Sequence, residues 1–284
     1  MDAVYSVMDT LLPFAPFRYA FMKNALLALL FLTPLLALLG TMAVNKRMAF
    51  FSDALGHSAL AGVGIGVLLG VSNVTVILVA FGICWALLIT RINRTGGASS
   101  DTTISVFSSA GIALGLLILS GSGKYGKYSS ILVGDILAVT PADILCLGIA
   151  LAAGVALWVM MYNRLLLMAI NPQLAQSRGI PVKAVEYGFV ILVAVAVMLS
   201  IRWVGVLLIN ALLILPAAAA RNVARSAAQH ALLSVIISLF SGFAGLCASV
   251  PLGTSVGAAV VLCAAVCYAL SLLAARLLRV RLQA

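Results

Sequence analysis

Two side chains in the stretch AFFSDALGHSALAGVGIG could do chemistry together: Asp53 and His57, four positions apart. On a helix an i, i+4 pair shares one face, about 40° apart around the axis, so a carboxylate and an imidazole can reach one ligand. Together they form a donor set suited to zinc, manganese or iron. The chain has only 7 acidic residues and 2 histidines among 284, and it places one of each within a single turn. Two ligands leave the remaining coordination to other helices, a symmetry mate or water, an arrangement that can hold an ion and still release it. A plainer reading stands beside this one: Ser52 or Asp53 caps the helix, and His57 is a satisfied core histidine.

The residues after His57 bear on that choice. Ser58, Gly62, Gly66 and Gly70 recur every four positions, a ladder of small side chains that lets another helix approach closely. It places the pair near a helix crossing in a bundle interior and away from lipid, where ionisable groups are costly. Asp135 is a candidate to attract cations at the outer face, or else the cap of a short helix beside Gly134. Asp101, in GGASSDTT, reads as the cap of the fourth span together with its Ser and Thr neighbours. Asn210 and Pro216 are expected to give a polar contact and a kink. His230 reads as a surface residue at a helix end. The 5 cysteines lie in apolar segments without disulfide spacing and read as small core residues; Cys263 and Cys267, one turn apart, could hold a soft metal, but helix packing is the preferred reading. No lysine is followed by Ser or Thr, so there is no Walker A phosphate loop, and any ATP hydrolysis belongs to another polypeptide. HExxH is also absent, which argues against an intramembrane metalloprotease.

Composition dictates the scaffold that carries these residues. Hydrophobic residues make up 64% and charged residues 8%, against about 45–50% and 25% in soluble domains. The chain is therefore expected to be all-α, a single polytopic transmembrane domain over 1–284 with a helical bundle at 20–275. Apolar runs of spanning length fall near 20–43, 54–70, 73–91, 103–120, 143–162, 183–201, 203–220, 228–248 and 255–275, giving about nine spans. Alternate connections then collect Lys46, Arg47, Arg91, Arg94, Arg164, Arg178, Lys183, Arg221, Arg225, Arg276, Arg279 and Arg281 on one side. Arg18, Lys23, Lys124, Lys127 and Arg202 fall on the other. The richer side is cytoplasmic by the positive-inside rule, with the N-terminus outside and the C-terminus inside. Basic residues at span ends account for the net charge of +10 without nucleic acid. The N-terminal stretch has no basic n-region of a cleaved signal peptide and reads as an interfacial lead-in. A segment near 131–139 is too short to cross and reads as a re-entrant helix. The connection 163–182 reads as a cytoplasmic amphipathic helix stopped by Gly179 and Pro181.

The run KRMAFFSDALGHSALAGVGIGVLLG resembles the signature region of membrane permeases in ABC importers for zinc and manganese, with an R-M-x-x-x-x-D-x-x-x-H-[AS] pattern opening the second span. VGDILAVTPADI, NPQLAQSRGIPVKAV and WVGVLLINALLILPAAAARNVARS match in order, so the resemblance covers about Arg47 to Leu273. It implies a homodimeric, multi-pass permease of the bacterial inner membrane that works with two cytoplasmic ATPase subunits and an extracytoplasmic solute-binding protein. The permease itself is not an enzyme and holds no permanent cofactor. Asp53 and His57 would be transient ligands of the transported ion. The segment 163–182, with Gln173, Leu174, Ala175, Arg178 and Gly179, would dock on the ATPase. The G-D-x-L-A-V-T-P form favours zinc, with manganese or iron as alternatives. Two positions depart from the zinc-type pattern: VFSSAGIALG carries serine where such members often have His, and SVPLGTSVGAAVV has Gly253 where many relatives have an acid. Both changes remove potential metal contacts. A proton-coupled secondary carrier, with the pair as a proton relay, is the rival from another class.

Overall fold

The computed structural model describes residues 2–11, 17, 19–71, 73–96, 99–128 and 134–283, and among these it is built from α-helices with a short 3-10 turn at Ile136–Ala138. The helices are α1 (Asp2–Leu11), α2 (Ala20–Asn45), α3 (Phe51–Leu68), α4 (Val74–Thr95), α5 (Ser100–Gly121), α6 (Tyr125–Tyr128), α7 (Pro141–Ile170), α8 (Pro172–Ser177), α9 (Val182–Val223), α10 (Ala227–Leu252) and α11 (Val256–Gln283). Eight of them are long and apolar enough to cross a membrane. The chain is a polytopic helical bundle. The start of the expected re-entrant segment, 131–133, lies outside the described residues, as does Arg18. The rest of that segment holds a 3-10 turn at Ile136–Ala138.

Seven of the nine apolar runs become separate helices, and the runs 183–201 and 203–220 become the single element α9. Its 42 residues would extend about 63 Å if straight, about twice the hydrocarbon thickness of a bilayer. It is not straight. Gly205 has φ 78° and ψ 163°, a conformation essentially confined to glycine. The neighbours on either side of it show a change of direction. Before the break, Glu186 bonds Arg94, Met198 lies over Gly82, and Arg202 Nη1 reaches Thr75 Oγ1 at 3.4 Å, so this half runs antiparallel to α4. Beyond the break, Val206 meets Gly56 and Asn210 meets Asp53, so residues 206–210 run antiparallel to α3. Because α3 and α4 are themselves antiparallel, with Gly62 against Phe81 and Gly66 against Ile77, the chain reverses at Gly205: residues 186–202 and 206–210 run in opposite senses. The sequence expectation put the break at Asn210 and Pro216. At Pro216 the helix continues, as transmembrane helices allow when neighbouring groups satisfy the freed carbonyl.

The chain divides into two compact units. One comprises Met42–Gly134 and Gly154–Asn210. Its centre is α3, where 72% of the most apolar window is buried. Glycines set the spacing there: a Cβ on Gly115 would stand 2.5 Å from Leu60 Cβ and 2.6 Å from the Ala61 amide nitrogen, and one on Gly111 would stand 2.6 Å from Ser58 Cβ. Backbones this close add dispersion contacts where no hydrophobic drive exists between lipid and helix.

The other unit comprises Met1–Thr41, Asp135–Ala153 and Ala211–Ala284. Here α10 lays a serine stripe on α2: Ser234 Oγ donates to Ala37 O at 3.2 Å and Ser238 Oγ to Thr33 O at 3.1 Å. The lead-in forms α1, tied to α2 by Lys23 Nζ to Asp9 Oδ1 at 2.6 Å and by Tyr5 OH to Asn24 Oδ1 at 2.5 Å. Two expectations are corrected. His230 is buried, not on the surface, and its Nε2 lies 2.9 Å from Ala217 O. The cysteines are not core residues: Cys84 and Cys146 are exposed and Cys247, Cys263 and Cys267 half-buried. In a lipid solvent a small apolar side chain is as stable on the outside of a bundle as within it.

Candidate metal centre

Asp53 lies in the first turn of α3, yet it does not cap the helix. The N-cap is Phe50, with no side-chain cap bond. The Asp53 carboxylate is committed elsewhere: its Oδ1 accepts from Asn210 Nδ2 at 2.8 Å and lies 3.2 Å from His57 Nε2. The His57 and Asp53 side chains are 36% and 43% exposed, so neither is sealed in a core. The helical register puts both on one face, and Gly56 between them opens the space for α9. A Cβ on Gly56 would stand 2.5 Å from Val206 Cγ1 and 3.5 Å from Asn210 Nδ2. Asn210 Oδ1 is buried with no hydrogen-bond partner, a state that costs about 1–3 kcal/mol. Sequence reasoning expected a polar contact at Asn210 without its partner, and it missed Gly56. The only signal for Gly56 was a small residue within the Asp-to-His turn.

The other candidates divide between packing, capping and surface positions. Ser58 packs under Gly111 of α5, while Gly62 and Gly66 face α4. Gly70 stands apart, with φ +66° and open space around it, in the turn after α3. Asp135 is exposed and its Oδ1 accepts from Leu137 N at 3.0 Å, capping the 3-10 turn. Ser99, not Asp101, caps α5, accepting from Thr102 N. In 163–182, Asn171 caps α8 by accepting from the Gln173 and Leu174 amides, Ala175 is fully buried and Leu174 is 42% exposed. Gly179 ends the segment at φ +75°, while Ile180 N returns to Ala175 O at 3.1 Å. Arg178 and Gln173 are exposed. Gly253 is the left-handed cap of α10 at φ +59°.

A group of charges missed in the sequence joins the ends of three helices. Glu186, early in α9, accepts from Arg94 Nη1 at 3.0 Å and lies 3.7 Å from Lys46 Nζ, an ion pair without a hydrogen bond. Lys46 is only 10% exposed, and burial pushes its ammonium below the usual lysine value while the Glu186 carboxylate opposes that. Replacing Glu186 with Gln leaves Lys46 buried without its counter-charge, and we expect a loss of about 2 kcal/mol, read as a lower melting temperature in detergent. The native state then binds fewer protons at Lys46 than the unfolded chain does. The variant's deficit should therefore narrow as pH rises toward 10.5.

Comparison with known proteins agrees with this architecture. The ABC 3 transport family matches residues 18–275. The high-affinity zinc uptake system membrane protein ZnuB of Haemophilus influenzae is 32% identical over 249 residues, covering 87% of this chain and 95% of that protein. The manganese import system permease protein ScaB of Streptococcus parasanguinis is 30% identical over 255 residues, covering 89% and 90%. Among solved structures, PsaBC from Streptococcus pneumoniae in complex with Fab superposes with a TM-score of 0.79 at 27% identity, over 95% of both chains. With the family matched along most of its length, the chain belongs to the ABC 3 transport family, as a multi-pass membrane permease.

Proposed function

We propose that this chain is the permease subunit of an ATP-driven divalent metal importer, with zinc as the cargo and manganese or iron as the alternatives. The observation that carries this reading is the convergence of Asp53, His57 and Asn210 in an apolar bundle, within 3.2 Å of one carboxylate oxygen. The relatives named for zinc and for manganese uptake support a divalent cargo, and the G-D-x-L-A-V-T-P stretch tips the choice to zinc. A bare divalent ion in a bilayer is prohibitively costly, so the path must offer ligands. Asp53 and His57 replace part of the hydration shell; Asp135 attracts cations at the outer face. Two permease copies pair, a solute-binding protein delivers the ion from outside, and two ATPase subunits drive alternating access from the cytoplasm. The N-terminus lies outside, the C-terminus inside, and 1–284 acts as one transport domain. The reversal at Gly205 supports that orientation, since counting α9 as two crossings would make nine and keep the charge asymmetry.

Coupling runs through 163–182. Gly179, at φ +75° with open space around it, tolerates no β-branched side chain without backbone strain. Gly179→Val should lower transport-linked ATPase stimulation by at least about fivefold while membrane insertion is unchanged. An ATPase that still binds and is fully stimulated would remove the docking assignment. The cargo is tested by growth of a deletion strain carrying the complete transporter: rescue under zinc limitation alone supports zinc, and rescue under manganese limitation alone rejects it.

A further inference from the structure

Asp53 and His57 supply one oxygen and one nitrogen, and among the described residues no third His, Cys, Asp or Glu joins them. The polar group that does join them is Asn210. It comes from α9, five positions past the Gly205 break, where Gly56 keeps the helices close. Its Nδ2 donates to the same Asp53 Oδ1 that faces His57. The other end of the amide, Oδ1, is shut from solvent with no partner. An amide oxygen is an uncharged acceptor with two lone pairs, and buried acceptors normally find partners.

We propose that Asn210 is a third protein ligand of the transported cation, its amide turning between two roles: donor to Asp53 when the site is empty, oxygen ligand when it is loaded. This rests on the reading of Asp53 and His57 as ligands. Turning the amide about its last torsion exchanges nitrogen and oxygen with little change in volume. It sets Oδ1 near the present Nδ2 position, 2.8 Å from the Asp53 oxygen. Two such oxygens repel unless a cation lies between them, and ligands about 2.1 Å from one ion at right angles stand about 3 Å apart. Asp53 is thus satisfied in both states, by the N–H in one and by the ion in the other. A neutral ligand adds coordination without a second negative charge, so the ion is held loosely enough to leave.

Two substitutions separate the roles. Asn210→Asp keeps an oxygen ligand and removes the donor; Asn210→Leu removes both. Uptake is measured in cells expressing the complete transporter, with Zn²⁺ alone and, in a separate arm, Mn²⁺ alone, beside wild type and Asp53→Ala. Asn210→Leu should raise KM roughly tenfold to a hundredfold. Asn210→Asp should lower KM and also the maximal rate, because the added charge slows release. Equal impairment of both variants would leave Asn210 as a donor to Asp53 only and overturn the ligand role, as would an unchanged KM in Asn210→Leu. Should the Leu variant not assemble with its ATPase, Asn210→Ala is read in its place. Asp53→Ala judges the parent reading separately: normal uptake by it removes the whole site, whereas lost uptake with equal Asn210 variants removes only the role of Asn210.

Discussion

Asp53→Ala should abolish metal uptake, by about a hundredfold or more, while the protein still inserts and assembles. Asp53 carries the negative charge of the candidate site; among the described residues no second acid joins it there. The donors around it, His57 and Asn210, bring no negative charge, so they can orient an ion but cannot balance two positive charges, and desolvating an unbalanced divalent ion in a medium of low polarity costs tens of kcal/mol. His57→Ala should fall less far, since it removes a donor and leaves the charge. His57→Ala should change stability little, because the side chain is over a third exposed; Asp53→Ala also takes the acceptor from Asn210 Nδ2 and should cost about 1 kcal/mol, small enough for the protein still to fold. Uptake is measured as initial rate in cells at matched expression. Wild-type rates in Asp53→Ala would take the site out of the transport path.

Gly134→Ala should destabilise the protein by about 2–5 kcal/mol, combining a left-handed φ with overpacking. Gly134 has φ +69°, and a methyl group there would overlap the backbone of Val204 and Gly205. Backbone cannot rotate away as a side chain can, so the reversal of α9 itself would have to shift. Gly70→Ala isolates the two causes: its φ is +66°, but its surroundings are open, so it should cost only about 1–2 kcal/mol. Melting temperatures in detergent give the comparison. Equal losses at the two positions would mean that the Gly134 contact contributes nothing.

Much of this architecture is legible in the sequence because the bilayer imposes length and polarity so strictly. The apolar runs mark the helices, and Gly179 marks the stop of the helix expected in 163–182, although the preceding helix continues to Ile170 and only Pro172–Ser177 forms α8. The i, i+4 spacing brings Asp53 and His57 together without further information. What stays hidden depends on distant residues. Gly205, in WVGVLL, looks like one more small packing residue; its positive φ and its close approach to Gly134 appear only in the fold. Asn210 and Asp53 are 157 positions apart, beyond any local pattern. Lys46, Arg94 and Glu186 look like separate span-end charges for the same reason. His230 looks like a surface residue because its partner is a backbone carbonyl, and sequence does not show which carbonyl faces a side chain. The cysteines look like core residues because hydropathy does not distinguish a lipid-facing position from a protein interior. Asp101 and Ser99 are two competent caps two residues apart, and the backbone selects the one preceding the helix.

If the transported ion sits between Asp53 and His57, it can be located directly by crystallography of the complete transporter loaded with zinc, with anomalous diffraction collected on either side of the zinc absorption edge. The expected peak lies about 2.0–2.2 Å from an Asp53 carboxylate oxygen and a His57 ring nitrogen, and is lost in Asp53→Ala crystals. A zinc peak elsewhere in the permease, with none beside these two side chains, would contradict that placement.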